Sequence, residues 1–207
     1  MPGTVQKTEY KVNNRKSYLI PKRIFDITVS LLGLIVLLLP MAVVALLIVL
    51  ESPGPVIYKQ ERIGKNGKPF IMYKFRSMCN DAEKNGPQWA SYSDPRCTKV
   101  GRVIRLWHID ELPQLWNVLK GDMSVVGPRP EREYFYVEFE KEIPNFRDRL
   151  LVAQGLTCIA QVNGCYDLTP AGRLDYDIEY IQKQSAWTDF KCILKTFVVL
   201  FNHKGAR

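Results

Sequence analysis

The sequence predicts an α+β fold, mostly helical with one small β-hairpin, and three patterns carry that expectation. A 24-residue apolar stretch runs from Ile27 to Leu50, interrupted only by Thr28, Ser30, Gly33 and Pro40. Two short strand-like segments, Val56-Ile57-Tyr58 and Phe70 to Phe75, flank the turn-rich run Ile63-Gly64-Lys65-Asn66-Gly67-Lys68, as in a hairpin. Beyond residue 99, apolar side chains recur at helical spacing in segment after segment. At 207 residues the chain is sized for one core rather than two.

Residues 1–17 are polar and basic and read as a flexible leader; no small-residue cleavage site follows the later apolar run, so a signal peptide is not expected. The apolar stretch is long enough, at ~1.5 Å per residue, to cross a bilayer as one helix. Two features oppose a straight span. Pro40 removes a helix hydrogen bond just past the middle. Both flanks are also basic: Lys7, Lys11, Arg15, Lys16, Lys22 and Arg23 precede the stretch, and Lys59, Arg62, Lys65, Lys68, Lys74 and Arg76 follow it. Positive charge on both sides suits a helix-break-helix that enters and leaves by one face. Ser52-Pro53-Gly54-Pro55 then forces a sharp exit.

After the hairpin, residues 78–95 are polar and turn-rich and read as a loop near the site. Residues 100–107 form a basic amphipathic helix carrying Arg102 and Arg105. A helix with an aromatic face spans 131–142, and 144–152 continues helically. Asn163-Gly164 marks a turn. Residues 174–184 form a helix carrying Asp175 and Asp177, each a candidate for nucleotide positioning or for stiffening the fold. The strongly apolar helix at 187–201 suits either a core or a membrane interface.

The chemistry concentrates between Arg105 and Pro130, RLWHIDELPQLWNVLKGDMSVVGPRP. Ile109, Leu112, Leu115, Trp116 and Leu119 share one helical face, expected to be buried. Pro113 fits only a helix that has just begun, which puts Asp110 and Glu111 at its N-terminus beside the positive end of the dipole. Lys120-Gly121 closes the helix. Gly127-Pro128-Arg129-Pro130 is a stiff turn that fixes one guanidinium. Acidic residues at a helix start are also common caps. An acid pair, a positive helix end and a held arginine together point to phosphate chemistry assisted by a divalent cation.

The bulk composition agrees. A net charge of +8 with 29 Lys+Arg favours an anionic partner: nucleic acid, acidic lipid or a phosphorylated small molecule. No helix-turn-helix or RNP-type pattern supports sequence-specific nucleic-acid binding. Five scattered cysteines (Cys79, Cys97, Cys158, Cys165, Cys192) show no CxxC spacing, which argues against a disulfide framework or zinc site and for a reducing compartment. His108 and His203 are too far apart to suggest a metal cluster.

Lys22-Arg23-Ile24-Phe25-Asp26, Arg62-Ile63-Gly64, Tyr73-Lys74-Phe75-Arg76-Ser77-Met78, the block 109–130 and Ala160-Gln161-Val162-Asn163-Gly164 together resemble the bacterial sugar transferases that are monotopic phosphoglycosyl transferases, over roughly residues 17–202. The chain resembles the minimal catalytic form, without the N-terminal multi-span domain of longer relatives. The resemblance implies transfer of a sugar 1-phosphate from a UDP-sugar to polyprenyl (undecaprenyl) phosphate with release of UMP, on the cytoplasmic face of the bacterial inner membrane. It implies a re-entrant membrane hairpin over 18–51, broken at Pro40, with a catalytic domain over 52–207 and interfacial helices. It makes Asp110 the nucleophile, forming an aspartyl-phosphosugar, and Glu111 the ligand of Mg²⁺. A carboxylate at a helix N-terminus is expected to stay ionised.

Arg105 and Arg129 are the first candidates to clamp phosphate oxygens, followed by Arg62, Lys74, Lys59 and Arg76; Pro40, Pro128 and Pro130 serve structure. The chain departs from the family at Leu39, at Cys158-Ile159, at Cys165 in place of a basic residue, and at Trp107-His108. A lone histidine beside a carboxylate nucleophile is given no role. The sugar, the pathway (capsule, exopolysaccharide, O-antigen or glycoprotein) and a homodimer stay open. Two other readings compete: a membrane-tethered basic binding module, in which Asp110 is silent, and a metal-dependent phosphohydrolase, which would hydrolyse UDP-sugar without a lipid acceptor.

Overall fold

Pro40 decides where the long apolar stretch breaks. In the computed structural model, which describes residues 10–84, 86, 88, 94–164 and 168–202, helix α1 spans Lys16–Val36 and α2 spans Leu38–Glu51. Leu37 lies between them and the pair is bent by 61°. The break therefore falls three residues ahead of Pro40 rather than at it. A proline ring collides with the carbonyl four residues back, here that of Val36, and supplies it no N–H donor. Leu37 N–H still reaches Gly33 O (2.9 Å) and Met41 N–H reaches Leu37 O (2.8 Å), so the helical path resumes at once. Among the described residues no single helix is long and apolar enough to cross a membrane; the bent pair together meets that length and composition.

Arg76 closes the end of α2. Its guanidinium donates to Ser52 O (2.6 Å), Pro53 O (2.8 Å), Ser52 Oγ (3.0 Å) and Ile48 O (3.4 Å). The sequence offered Arg76 as a phosphate contact; in this structure its N–H groups satisfy carbonyls that a helix C-terminus leaves without partners. Strands β1 (Ile57–Ile63) and β2 (Pro69–Phe75) pair antiparallel, from Ile57↔Phe75 to Ile63↔Pro69. Asn66 (φ 57°) and Gly67 (φ 76°) supply the left-handed turn between them. Tyr58 lies opposite Lys74 and Arg62 opposite Phe70, so one face of the hairpin carries Tyr58, Arg62 and Lys74.

Next come α3 (Lys99–Leu106), a 3₁₀ turn at Ile109–Glu111, and α4 (Gln114–Lys120). The buried face of α4 differs from the expected one. Trp116 is half exposed, while Gln114, Leu115, Asn117 and Val118 are buried. Asn117 replaces the apolar contact with a polar peg: it accepts from Tyr73 N–H (3.1 Å) and donates to Ile71 O (2.6 Å), fixing α4 to β2.

Strand β3 (Ser124–Val126) pairs in parallel with β4 (Gly155–Thr157). The crossover between them holds α5 (Glu133–Glu140) and a 3₁₀ turn at Phe146–Leu151. The backbones meet too closely for side chains here: a Cβ on Gly127 would sit 2.2 Å from Ala153 O, and one on Gly155 2.1 Å from Gly127 N. Helices α6 (Ile159–Val162), α7 (Pro170–Gln182) and α8 (Ala186–Asn202) complete the fold. Cys158 Sγ accepts from Gln161 N–H at the start of α6. Cys165, His203, Lys204 and Arg207 lie outside the described residues.

The main core joins β2, α4, β3, α7 and α8 through Met72, Val118, Val126, Tyr180, Ile181 and Cys192. A second cluster packs Ile63, Tyr136, Phe146, Leu150 and Leu174. Beside it Arg149 and Asp177 form an ion pair at 2.6 Å, each side chain 2% exposed. Of the two roles open to Asp177, this one stiffens the fold. Arg149→Met is expected to leave Asp177 buried and unpaired and to destabilise the protein by about 3–5 kcal/mol, read as a lowered unfolding midpoint in denaturant.

Candidate active site

A cavity of about 640 Å³ opens between the hairpin, the end of α3, the acid turn and the Gly127–Pro130 turn. That volume suits a small-molecule ligand. Its wall includes Tyr58, Lys59, Arg62, Lys74, Arg105, His108, Asp110, Glu111, Arg129, Glu131 and Arg173. Arg76 also borders it, with its guanidinium bonded as described above.

The acid pair reaches this wall through a strained turn. Thr98 caps α3 by accepting from Gly101 N–H (2.9 Å), and a Cβ on Gly101 would lie 1.9 Å from Ser77 O, so only glycine lets α3 settle against the end of β2. After α3, His108 takes the left-handed conformation (φ 55°), unusual for a residue with a side chain. The chain then coils into the 3₁₀ turn that carries Asp110 and Glu111, 6% and 8% exposed. Pro113 stands at the cap of α4, so the acid pair precedes that helix by a turn rather than forming its first residues.

Cations surround the pair. Lys74 Nζ donates to Glu111 Oε1 at 2.8 Å. Arg129 grips Glu111 in a fork, Nη1 to Oε2 at 3.1 Å and Nη2 to Oε1. The prolines hold that fork in place: Pro128 O accepts from Gly155 N–H (2.8 Å) and Pro130 O from Arg62 Nη1 (3.0 Å). Arg105 lines the cavity from the last turn of α3, and Lys59 lies exposed at its edge. Arg62 also pairs with Glu131 (3.0 Å), whose other oxygen faces Arg173 at 3.4 Å.

Glu131 and Arg173 escaped the sequence reading. Glu131 had a signal, because it directly follows the Pro-Arg-Pro turn. Arg173 had none, coming from α7, 42 positions away from Glu131. Glu83, in the polar stretch 78–95, accepts from both Arg132 nitrogens (2.8 and 3.2 Å). Residues 85, 87 and 89–93 of that stretch lie outside the described residues.

The two carboxyls differ in proton affinity. Burial pushes Asp110 up to about 6, against the pull of Lys74 and with the push of Glu111's charge. The helix end does not keep it at an ordinary value, as position alone suggested; burial outweighs it. Burial would raise Glu111 too, but Arg129 and Lys74 beside it hold it well below the carboxylate range. Burial lowers Lys74 against the attraction of Glu111, and burial lowers His108, favouring its neutral imidazole. Two adjacent carboxyls with unlike proton affinity inside a cationic wall suit a nucleophile next to a fixed anion. Among the described residues no group of three or more His, Cys, Asp or Glu side chains stands close enough to hold a metal unaided.

Residues 17–203 match the family described as Bacterial sugar transferase. A Bacillus subtilis protein provisionally named undecaprenyl-phosphate N-acetylgalactosaminyl 1-phosphate transferase is 59% identical over 133 residues, covering 64% of this chain and 74% of that protein. The Aeromonas hydrophila UDP-N-acetylgalactosamine-undecaprenyl-phosphate N-acetylgalactosaminephosphotransferase is 42% identical, over 92% of this chain and 46% of its own length. A Caulobacter vibrioides UDP-glucose:undecaprenyl-phosphate glucose-1-phosphate transferase is 42% identical, over 89% of this chain and 71% of its own length. The chain thus spans less than half of the Aeromonas protein.

Proposed function

Because this chain belongs to the bacterial sugar transferases, we propose that it transfers a sugar 1-phosphate from a UDP-sugar to undecaprenyl phosphate, releasing UMP. The observation that carries this reading is the buried Asp110 in a cavity walled by Lys74, Arg62, Arg105 and Arg129. An Asp110 carboxylate oxygen attacks the sugar-bearing phosphorus. The bond from that phosphorus to the bridging oxygen breaks, and UMP leaves with the electron pair. A phosphate oxygen of undecaprenyl phosphate then attacks the same phosphorus, freeing the Asp110 carboxylate and completing the lipid diphosphate. Arg129, Lys74 and Arg105 bind and orient the diphosphate oxygens, and their fixed charge favours the transition state.

A magnesium ion fits this donor set, since Mg²⁺ is commonly held by one or two carboxylates with substrate phosphates and water completing its shell. Glu111 would hold it, its present partners Lys74 and Arg129 being cations that phosphate oxygens can take over. When bound, the ion neutralises diphosphate charge.

The bent α1–α2 pair exposes Ile24, Leu31, Leu32, Ile35, Leu38, Leu39, Leu46 and Leu50. With basic residues on both flanks, we place it as a re-entrant element in the cytoplasmic leaflet of the bacterial inner membrane. Exposed Trp187, Phe190, Leu194 and Phe197 on α8 suit the interface beside it. N-acetylgalactosamine is named for both the 59% and one of the 42% identical relatives, so UDP-N-acetylgalactosamine is the first donor to test.

Intact-protein mass after incubation with UDP-sugars and Mg²⁺, without acceptor, tests the mechanism. A phosphosugar mass gain is expected in wild type and none in Asp110→Asn. UMP release with acceptor but no adduct under any condition would sink Asp110 as nucleophile. The pH dependence follows from the raised Asp110. The reactive form is the carboxylate, about nine-tenths populated at pH 7 for a group near 6. Adduct formation is therefore expected to fall as pH drops through 6, approaching about tenfold per unit below it, in a rate–pH profile.

A further inference from the structure

Lys22, Arg23 and Asp26 lie on one turn of α1 and none of them lines the catalytic cavity. Each instead grips the backbone of a segment adjoining one that carries catalytic side chains. Arg23 donates from Nη1 to Val118 O (2.6 Å) and from Nη2 to Leu119 O (2.8 Å), closing the C-terminus of α4, whose other end follows the acid turn. Asp26, 4% exposed, accepts from Val125 N–H (3.0 Å). Lys22 Nζ donates to Val126 O (3.0 Å) and to Asp189 Oδ2 (2.9 Å).

The free edge of β3 is thus read by Asp26 and Lys22, four residues apart on α1, with Tyr180 OH of α7 as a second donor to Val126 O (3.1 Å), while its other edge pairs with β4. Little slack separates these grips from the chemistry. Arg129 follows Val126 by three residues, with Gly127 N–H on Thr157 O (3.0 Å), Gly155 N–H on Pro128 O and two proline rings fixing φ. A buried apolar contact would also join α1 to these segments, but backbone hydrogen bonds fix distance and direction more tightly.

We propose that Lys22, Arg23 and Asp26 are positioning residues, which set the place of Arg129 relative to Asp110 and Glu111 by clamping β3 and α4 to the same turn of α1. This rests on Asp110 being the nucleophile. Misplacement from a distance is costly in such sites: Lys22→Met is expected to slow aspartyl-phosphosugar formation by about ten- to a hundredfold in single-turnover mass measurements. Acting through Arg129, it has little left to disturb once that fork is gone. In an Arg129→Lys background the same change is expected to cost less than about threefold.

The four proteins of this cycle are compared with UDP-N-acetylgalactosamine and a panel of other UDP-sugars, each with its melting temperature. An equal fold-loss in both backgrounds would overturn the proposal and leave Lys22 as a simple support. If Lys22→Met does not fold, Lys22→Arg replaces it, keeping a charge opposite Asp189 while displacing the compact ammonium from Val126 O. Non-additivity with Arg129→Lys is again the supporting result, and additivity the overturning one. No adduct in wild type with any sugar would overturn the nucleophile reading itself, and this proposal with it.

Discussion

Asp110→Asn is expected to lower acceptor-dependent UMP release at least about a thousandfold, the scale on which enzymes lose activity when a covalent nucleophile is removed. The substitution keeps shape and volume in a side chain that is almost fully buried. It removes the one carboxylate in the acid pair that takes none of the hydrogen bonds from Lys74 and Arg129. The folded state should tolerate it well. Burial already penalises the charged form of Asp110, so a neutral amide relieves a cost rather than adding one. Full-length, normally melting but inactive protein is the expected result. A binding module, in which the pair only caps a helix, predicts the opposite: unchanged ligand binding and a modest loss of stability.

Arg129→Ala is expected to cut turnover by about 10²–10³, the usual consequence of removing one preorganised donor aimed at developing charge. Its guanidinium is placed by a turn with both prolines buried and both carbonyls engaged, so no other side chain inherits its position. Arg129→Lys should recover only part of the activity, because an ammonium cannot reproduce a two-pronged grip. Measuring kcat and KM separately checks the role: a loss mainly in kcat fits transition-state stabilisation, whereas a loss confined to KM would reduce Arg129 to uniform substrate binding.

Much of the architecture was legible because its signals are local. The hairpin announced itself through Asn66 and Gly67, and α3, α5, α7 and α8 through helical spacing, with boundaries shifted by a few residues. The acid pair and the Pro-Arg-Pro turn stood out as a unit, and the structure brings Glu111 and Arg129 into contact. What stayed hidden depended on distant chain. Strands β3 and β4 are three residues each and pair in parallel across a long crossover, so neither carries a periodic signal of its own. The buried face of α4 was misjudged because Asn117 finds backbone partners on β2, which no helical wheel displays. The helix break was misplaced by three residues because a proline acts on the carbonyl behind it. Arg76 was legible only as a candidate phosphate contact, because the carbonyls of Ile48, Ser52 and Pro53 that its guanidinium reaches lie more than twenty positions back along the chain. The raised proton affinity of Asp110 comes from burial, a property of the assembled cavity rather than of the stretch that holds the residue.

The bonds from α1 to α8 also impose an order on synthesis. Lys22 and Asp189 are 167 positions apart, and Tyr18 OH reaches the same carboxylate (2.8 Å) across 171. At translation rates of roughly 5–20 residues per second, the ammonium of Lys22 waits on the order of 10–30 s for its partner after leaving the ribosome. Throughout that interval the most apolar part of the chain has already been made, while the groups that fasten it to the rest are incomplete. The nascent protein therefore commits α1 and α2 to their surroundings long before these bonds can close, and the fastening of α1 waits for the synthesis of α8.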